Sequence, residues 1–215
     1  MLILAFDTTA AACSVALWRD GIVLQSASAV MEQGQAEALM PMIETVMATA
    51  NTPYTALDRI AVTIGPGSFT GVRVGLSAAR GIAMAADKPV IGVTSLEVLA
   101  YAVPDSELPN GPGILVAVDA RRGDFFLQKF KADRTPAGEI TSLLPEAVAA
   151  WAGAGPWIIA GDGAVTIAPV IHARVSTASP RPDTTALAAL AAVRVPQIGG
   201  PLPLYIHAPS VTMPS

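Results

Sequence analysis

Apolar residues recur along this chain in two rhythms, and the change between them divides it into elements. Residues 2–6, 13–18 and 22–29 are dense in Leu, Ile, Val, Phe and Ala and are bounded by turn residues, which predicts three strands. Asp20-Gly21 between the second and third is a strong hairpin signal. Over residues 35–50 the spacing lengthens: Ala36, Leu39, Met40, Ile43, Val46, Met47 and Ala50 fall on one side of a helix, and Pro41 is placed to start, kink or interrupt it. A strand at 60–64, a helix at 70–86, a strand at 90–93 and a helix at 95–101 follow. Three meandering strands and then alternating helix and strand predict an α/β sheet covered on both faces.

A second cycle begins after a Pro/Gly-rich stretch at 104–112, which predicts two units, 1–103 and a smaller, worn 104–215. Strands at 114–118 and 125–130 join near Gly123, a short helix occupies 145–151, and a strand at 157–160 leads into Gly161-Asp162-Gly163. The segment after Val170-Ile171 reads as a loop carrying His172, and an alanine-rich helix over 184–195 is capped by Asp183. A strand that ends in Asp and turns into a hairpin therefore occurs twice, at Asp7 and at Asp119.

Both long helices carry more apolar surface than one core needs. Beside the first core stripe run Ala38, Met42, Thr45 and Thr49, less polar than a solvated face. In the second, Val72, Leu76, Ala79 and Ala83 form the core side, while Val74, Ser77, Ala78, Gly81 and Ala85 leave room for a close helix neighbour. Arg73 and Arg80, seven residues apart, share one flank, and Met84 adds an adaptable side chain. These residues predict a partner interface; a neighbouring helix of the same chain is the competing reading.

At 215 residues, with 52% hydrophobic and 14% charged positions, the chain is long and apolar enough for a substantial core. A net charge of −4 argues against gripping RNA unaided. The opening MLILAFD has no basic lead and reads as a buried strand, and no apolar run approaches a membrane span, so a cytoplasmic protein is expected. The single cysteine, Cys13, reads as a buried strand thiol.

Candidate chemistry concentrates in residues 60–80, IAVTIGPGSFTGVRVGLSAAR, a strand, a glycine-bearing loop and a helix. Such a unit leaves N–H groups free at a helix start, where anions are welcome, and Ser68 or Thr70 can cap it. No standard signature fits. A Walker A loop needs a lysine that is absent here, Gly65, Gly67 and Gly71 are spaced one residue too far for a dinucleotide fingerprint, and Pro66 and Thr70 occupy the glycine positions of a nucleophile elbow. The two histidines, His172 and His207, have no identifiable helpers for a metal site or triad, and no pair of carboxylates stands at acid/base spacing.

The strings LAFDTTAAACSVAL, GPGSFTGVRVG, VDARRGDFF and PLYIHAPSV, in this order, resemble the bacterial TsaB (YeaZ) family of tRNA threonylcarbamoyladenosine biosynthesis proteins over nearly the whole chain. The resemblance implies an actin-like (ASKHA, ribonuclease H-like) duplicated α/β fold, with mixed sheets flanked by helices. It marks Gly65, Pro66, Gly67, Ser68, Phe69, Thr70, Gly71 and Arg73 as the family loop. Asp7, Thr8, Thr9, Ser14, Asp119, Gly161 and Gly163 stand where actin-like ATPases hold magnesium and nucleotide. Alanines after Asp7, and Arg121 and Arg122 after Asp119, replace the small residues such loops use, so the site reads as degenerate. The implied role is that of a non-catalytic subunit with no cofactor or metal of its own. It would support a TsaD-like catalytic subunit together with a TsaE-like P-loop ATPase subunit. ATP and magnesium would be used by those partners, and tRNA would be met only within the complex. Alone, the chain would form a homodimer through the two long helices, residues Ala38, Met42, Thr45, Thr49, Val74, Ser77, Ala78, Arg80, Gly81 and Met84. An independent actin-like ATPase or small-molecule kinase is the alternative, and a peptidase, for which no nucleophile and base stand out, a remote third. Two departures stand out: Gln35 replaces a histidine common in the family, and His207 replaces an arginine beside its closing PLY motif. Tyr205, within that motif, is expected to anchor the tail to the body.

Overall fold

In the computed structural model, which describes residues 1–109 and 111–206, the chain forms two five-stranded mixed sheets. The first comes from β1 (Leu2–Asp7), β2 (Ala12–Arg19), β3 (Ile22–Val30), β4 (Arg59–Thr63) and β5 (Val90–Val93), in the order β3-β2-β1-β4-β5. The second comes from β6 (Gly113–Asp119), β7 (Phe125–Phe130), β8 (Thr141–Leu143), β9 (Trp157–Ala160) and β10 (Arg174–Val175), in the order β10-β9-β6-β7-β8. In each, three antiparallel strands are followed by two parallel ones. The second sheet thus repeats the first strand for strand, and the predicted duplication holds at full strand count. Strands of three and two residues at β8 and β10 are the worn part.

The helices repeat as well. α1 (Gln35–Thr49), α2 (Phe69–Ala86) and α3 (Ser95–Tyr101) follow β3, β4 and β5; α4 (Pro145–Ala152), α5 (Ala164–Ile171) and α6 (Thr184–Val193) follow β8, β9 and β10. α1 and α2 cover one face of the first sheet, where Leu39, Ile43, Val46, Val72, Leu76 and Ala79 meet Leu4, Phe6, Val15 and Val62. α4 and α5 cover the matching face of the second. The third helices cross over. Leu96, Leu99 and Ala100 of α3 pack on Ile114, Val116 and Phe130 of the second sheet, while Ala186, Leu187, Ala188 and Ala191 of α6 return to Ile3, Ala5, Ala61 and Ile91 of the first. With helices on both faces, every residue of β1 is buried, which explains its unbroken apolar run.

Local chemistry sets the ends of these elements. α3 starts with a capping box, in which Thr94 accepts from the Glu97 amide while the Glu97 carboxylate accepts from the Thr94 amide. α6 is capped by Asp183, whose Oδ1 accepts from the amides of Thr185 and Ala186 at 2.7 and 2.9 Å. It stops at Val193, short of the expected 195, because Arg194 is already extended ahead of Val195-Pro196. Arg59 Nη1 then donates to the carbonyls of Ala191 and Arg194 at 2.8 and 2.5 Å. A helix not expected from the sequence, α5, precedes the loop that carries His172, and His172, at φ 53°, ends it.

α1 is turned slightly from its expected orientation. Leu39, Ile43, Val46 and Met47 are buried as predicted, but Ala36 and Met40 face outward and Ala38 and Met42 lean on the core. Pro41 lies inside the helix without breaking it, and Thr45 Oγ1 donates to its carbonyl at 2.8 Å.

Candidate functional site: a filled phosphate hairpin beside a cleft

The loop between β4 and α2 closes directly on the turn after β1. Thr8 Oγ1 donates to the carbonyl of Gly71 at 2.7 Å, and the Ser68 amide donates to the carbonyl of Thr9 at 2.8 Å. The glycines are there for that approach. A Cβ on Gly71 would fall 1.8 Å from the Thr8 carbonyl oxygen, and one on Gly67 2.5 Å from that of Thr9. Ser68 caps α2 by accepting from the Gly71 amide at 3.2 Å, whereas Thr70, the other capping candidate, is exposed. On its other side the loop is held by α3 and by the tail: the Ser95 amide donates to the Gly65 carbonyl at 3.0 Å, Ser95 Oγ donates to the Pro66 carbonyl, and the Leu204 amide donates to the Ile64 carbonyl at 2.8 Å. The Gly65–Pro66 peptide is cis.

Asp7 is only 1% exposed. Its Oδ1 accepts from the Thr9 amide at 3.2 Å, from Thr9 Oγ1 at 2.6 Å and from Thr63 Oγ1, while its Oδ2 has no hydrogen-bond partner among the described residues. Burial pushes its carboxyl above the ordinary Asp range, and the bonds from Thr63 and Thr9 recover only part of that shift. Burial likewise pushes the Cys13 thiol on β2 up to about 11, with the Asp7 charge adding to it. Ser14 pairs with Ser28 across β2 and β3, Oγ to Oγ 2.7 Å.

The second hairpin is tied up by its own arginine. The Arg121 amide donates to Asp119 Oδ1 at 2.7 Å, its guanidinium reaches Asp162 Oδ2 at 3.3 Å, and the Asp119 amide donates to Asp162 Oδ1 at 2.9 Å. Burial raises the pKa of Asp162, and the nearby Asp119 charge adds to that against the opposing pull of Arg121. Gly161 and Gly163 occupy in the second half the place that the β4–α2 loop occupies in the first. They lie against the Ala117 carbonyl, to which the Gly163 amide donates at 3.0 Å, and a Cβ on Gly161 would come within 2.2 Å of it. Between these two loop systems opens a cleft of about 520 Å³, lined among others by Ala10, Ser68, Phe69, Asp119, Arg121 and Tyr205. Asp7 does not line it.

The predicted partner residues divide into two groups. Ala38, Met42, Val74 and Ala78 are partly buried against the chain's own core. Thr45, Thr49, Ser77, Arg80, Gly81 and Met84 are exposed, Met84 to 85%, and a Cβ on Gly81 would meet nothing within 4 Å. The neighbouring-helix reading therefore accounts for the inner rows, and among the described residues nothing covers the outer rows. Sequence patterning missed Thr63, the buried donor to Asp7, although a polar residue closing an apolar strand is a visible signal. It placed Arg73 on the α2 flank but not its stacking on Phe69, 3.3 Å from guanidinium carbon to ring centroid. Tyr205 does anchor the tail, its ring 5.2 Å from that of Phe69. His172 is exposed, and His207 lies outside the described residues. Among the described residues no group of three or more His, Cys, Asp or Glu gathers to hold a metal ion, and no helix is long and apolar enough to cross a membrane.

A magnesium–nucleotide of the kind actin-like ATPases hold does not fit these residues. The Asp7 carboxylate is sealed beneath Thr9 and Thr63, the 65–71 loop packs directly on Thr8 and Thr9, and the Arg121 guanidinium sits between Asp119 of the second hairpin and Asp162 of the loop after β9.

Duplicated sheets, exchanged third helices and paired Asp hairpins flanking a cleft define the actin-like (ASKHA) class. A structure of that class, the activator of the 2-hydroxyisocaproyl-CoA dehydratase from Clostridium difficile with bound ADPNP, superposes with a TM-score of 0.52 at 11% identity, covering 89% of this chain and 94% of that one. The family model for TsaD, tRNA N6-adenosine threonylcarbamoyltransferase, matches residues 29–157. The tRNA threonylcarbamoyladenosine biosynthesis protein TsaB of Escherichia coli K12 is 36% identical over 170 residues, 76% of this chain and 72% of that protein. A Pseudomonas aeruginosa crystal structure described as an uncharacterised protein with similarity to peptidase YeaZ superposes with a TM-score of 0.81 at 31% identity, covering 96% of this chain and 99% of that one. The chain belongs to the TsaB (YeaZ) family.

Proposed function

We propose that this protein acts in the formation of threonylcarbamoyladenosine in tRNA as the non-catalytic companion of a TsaD-like catalytic subunit. Its family membership supports the pathway, and the first hairpin supports the division of labour: its Asp7 carboxylate is buried beneath Thr9 and Thr63 and does not line the cleft, and the chain's own glycine loop packs against Thr8 and Thr9. The catalytic subunit would transfer the threonylcarbamoyl group from its adenylate to the adenosine beside the anticodon, with a TsaE-like P-loop ATPase subunit assisting. This chain would shape the complex and share its tRNA surface, without a cofactor of its own. The exposed outer row of α1 and α2, with Ser77 and Gly81 at its centre, suits the close approach of another helix. A partner related to this chain, as the TsaD family model indicates, would carry an equivalent helix pair to meet it. In isolation the same face would pair two copies of this chain.

Mixing the full chain with a TsaD-like subunit at micromolar concentration should give a single larger species in size-exclusion chromatography. Clean separation of the two would sink the proposal.

A second reading, an independent ATPase or small-molecule kinase, is favoured by the unpartnered Oδ2 of Asp7 and the adjoining cleft. Calorimetry with Mg-ATP separates the two: tight binding by the isolated chain, abolished in Asp7→Ala, would favour the kinase.

A further inference from the structure

After α6 the chain turns through Gly199 and Gly200, both at positive φ, and runs back across the carboxyl ends of β4 and β5. Six contacts fasten residues 201–206 there. Pro201 is buried against Gly92, where a Cβ would come within 2.5 Å of the proline ring. Arg80 Nη2 donates to the Pro201 carbonyl at 2.8 Å. The Leu204 amide donates to the Ile64 carbonyl at 2.8 Å, and the Leu204 carbonyl lies over Gly65, where a Cβ would approach it to 2.9 Å. The Tyr205 ring, finally, stacks with Phe69, and the Arg73 guanidinium lies 5.1 Å from its centroid.

The 65–71 loop is therefore gripped from two sides, by Thr8 and Thr9 beneath and by the returning tail above. Both cations of the α2 flank, Arg73 and Arg80, are engaged by that tail. Phe69 is 51% exposed and Tyr205 39%, so neither is held by burial in the core; each is steadied by the other and by Arg73.

We infer that residues 201–206 act as a clasp that fixes the first turn and the arginine flank of α2, making Tyr205 and Arg73 positioning residues for the docking face. This inference rests in part on the reading of α2 as that face. A docking helix packed on small residues tolerates little tilt or rotation, because close backbone approach leaves no long side chains to adapt. Loosening the clasp would let the first turn of α2 fray and the two arginines swing onto the face. Affinity for the partner then falls although no residue of the small-residue row has changed.

Hydrogen exchange on the full chain tests the clasp without any partner. In Tyr205→Ala the amides of residues 65–73 should exchange several-fold faster than in the wild type, with the strands of both sheets unchanged. Tyr205→Phe, which keeps the ring, should restore wild-type rates. Unchanged exchange at 65–73 in Tyr205→Ala overturns the inference; so does faster exchange spread over both sheets, which would mark general loss of stability. Calorimetry against a TsaD-like subunit tests the consequence: about a tenfold weaker complex for Tyr205→Ala, recovered in Tyr205→Phe. Equal affinity of the two variants overturns the link to docking. If the wild type itself fails to bind, the proposed function falls, and the exchange result alone decides whether the clasp exists.

Discussion

Glu97 on α3 and Arg194 at the end of α6 form an ion pair, Oε1 to Nη2 2.5 Å, that ties together the two helices exchanged between the halves. The other carboxylate oxygen, Oε2, closes the α3 capping box by accepting from the Thr94 amide at 3.1 Å and Thr94 Oγ1 at 2.7 Å. Arg194 also donates to the Gly92 carbonyl at 3.1 Å, beside the point where the clasp begins. Glu97→Ala removes the carboxylate half of the capping box and the ion pair together, leaving the Thr94 hydroxyl cap, and should lower stability by about 1–2 kcal/mol. A urea midpoint within error of the wild type would contradict this.

Two glycines of α2 should respond in opposite directions. Gly71→Ala drives a methyl onto the Thr8 carbonyl, backbone against backbone, so the helix start must move; a loss of about 3 kcal/mol or more is expected. Gly81→Ala meets open space on the exposed side of α2 and should raise stability by up to about 1 kcal/mol. Thermal unfolding of both variants, at concentrations low enough to keep the chain monomeric, checks the pair, and a destabilised monomeric Gly81→Ala would mean that α2 is covered there by the chain itself.

Asp7 should give stability an unusual pH dependence. Its folded carboxyl titrates above its unfolded value of 3.8, so the native state holds the proton more tightly. Its contribution is most favourable below pH 3.8, declines as pH rises through the raised folded pKa, and stays unfavourable beyond it. Asp7→Asn keeps an acceptor for Thr9 and Thr63 and abolishes the buried charge, so it should equal or exceed the wild type near neutral pH by about 1–2 kcal/mol, with the difference shrinking on acidification. Asp7→Ala, which strands those donors, should be destabilised at every pH. An Asp7→Asn variant less stable at pH 7 than at pH 4, relative to wild type, would overturn the assignment.

Glu107 should behave in the opposite sense. Burial pushes its carboxyl up, but bonds from Thr177 and Ser176 and the charge of Arg174 more than offset this and leave it below its ordinary value of 4.5. Its stabilising contribution is present above pH 4.5 and is lost as pH falls through the lowered folded pKa. Glu107→Gln weakens the acceptor for the Thr177 amide and hydroxyl and should cost about 1 kcal/mol at neutral pH and less in acid. Equal loss at both ends of the range would point to packing instead.

The docking face has its own test. Ser77→Arg places a long charged side chain at the centre of the small-residue row while leaving the core untouched. Association with a TsaD-like subunit should weaken at least a hundredfold, about 3 kcal/mol, with an unfolding midpoint near that of wild type. Retained affinity would move the interface elsewhere.

The first sheet was legible because its strands are long, apolar and punctuated: β1 to β5 lie within a residue or two of where the apolar rhythm put them. The second half was less so for physical reasons. β8 and β10 are too short to show any period, and α5, AVTIAPVI, hides its helical spacing in a nearly continuous apolar run that contains Pro169. Nothing local in the α6 sequence says that it covers β1, because that contact joins residues some 180 positions apart. At the site, Asp7 and the 65–71 glycines stood out as residues, but their relationship did not. That Gly71 is a glycine because Thr8 needs the space is a fact of packing between two loops far apart in sequence.

The exchange of α3 and α6 also bears on how a chain of this kind can shrink. Ile3, Ala5, Ala61 and Ile91 have α6 as their roof, so a descendant that discarded its later segments would present a bare apolar sheet to water. Strand length can be cut back, as the short β8 and β10 show, but neither exchanged helix can be dropped without unroofing the opposite sheet.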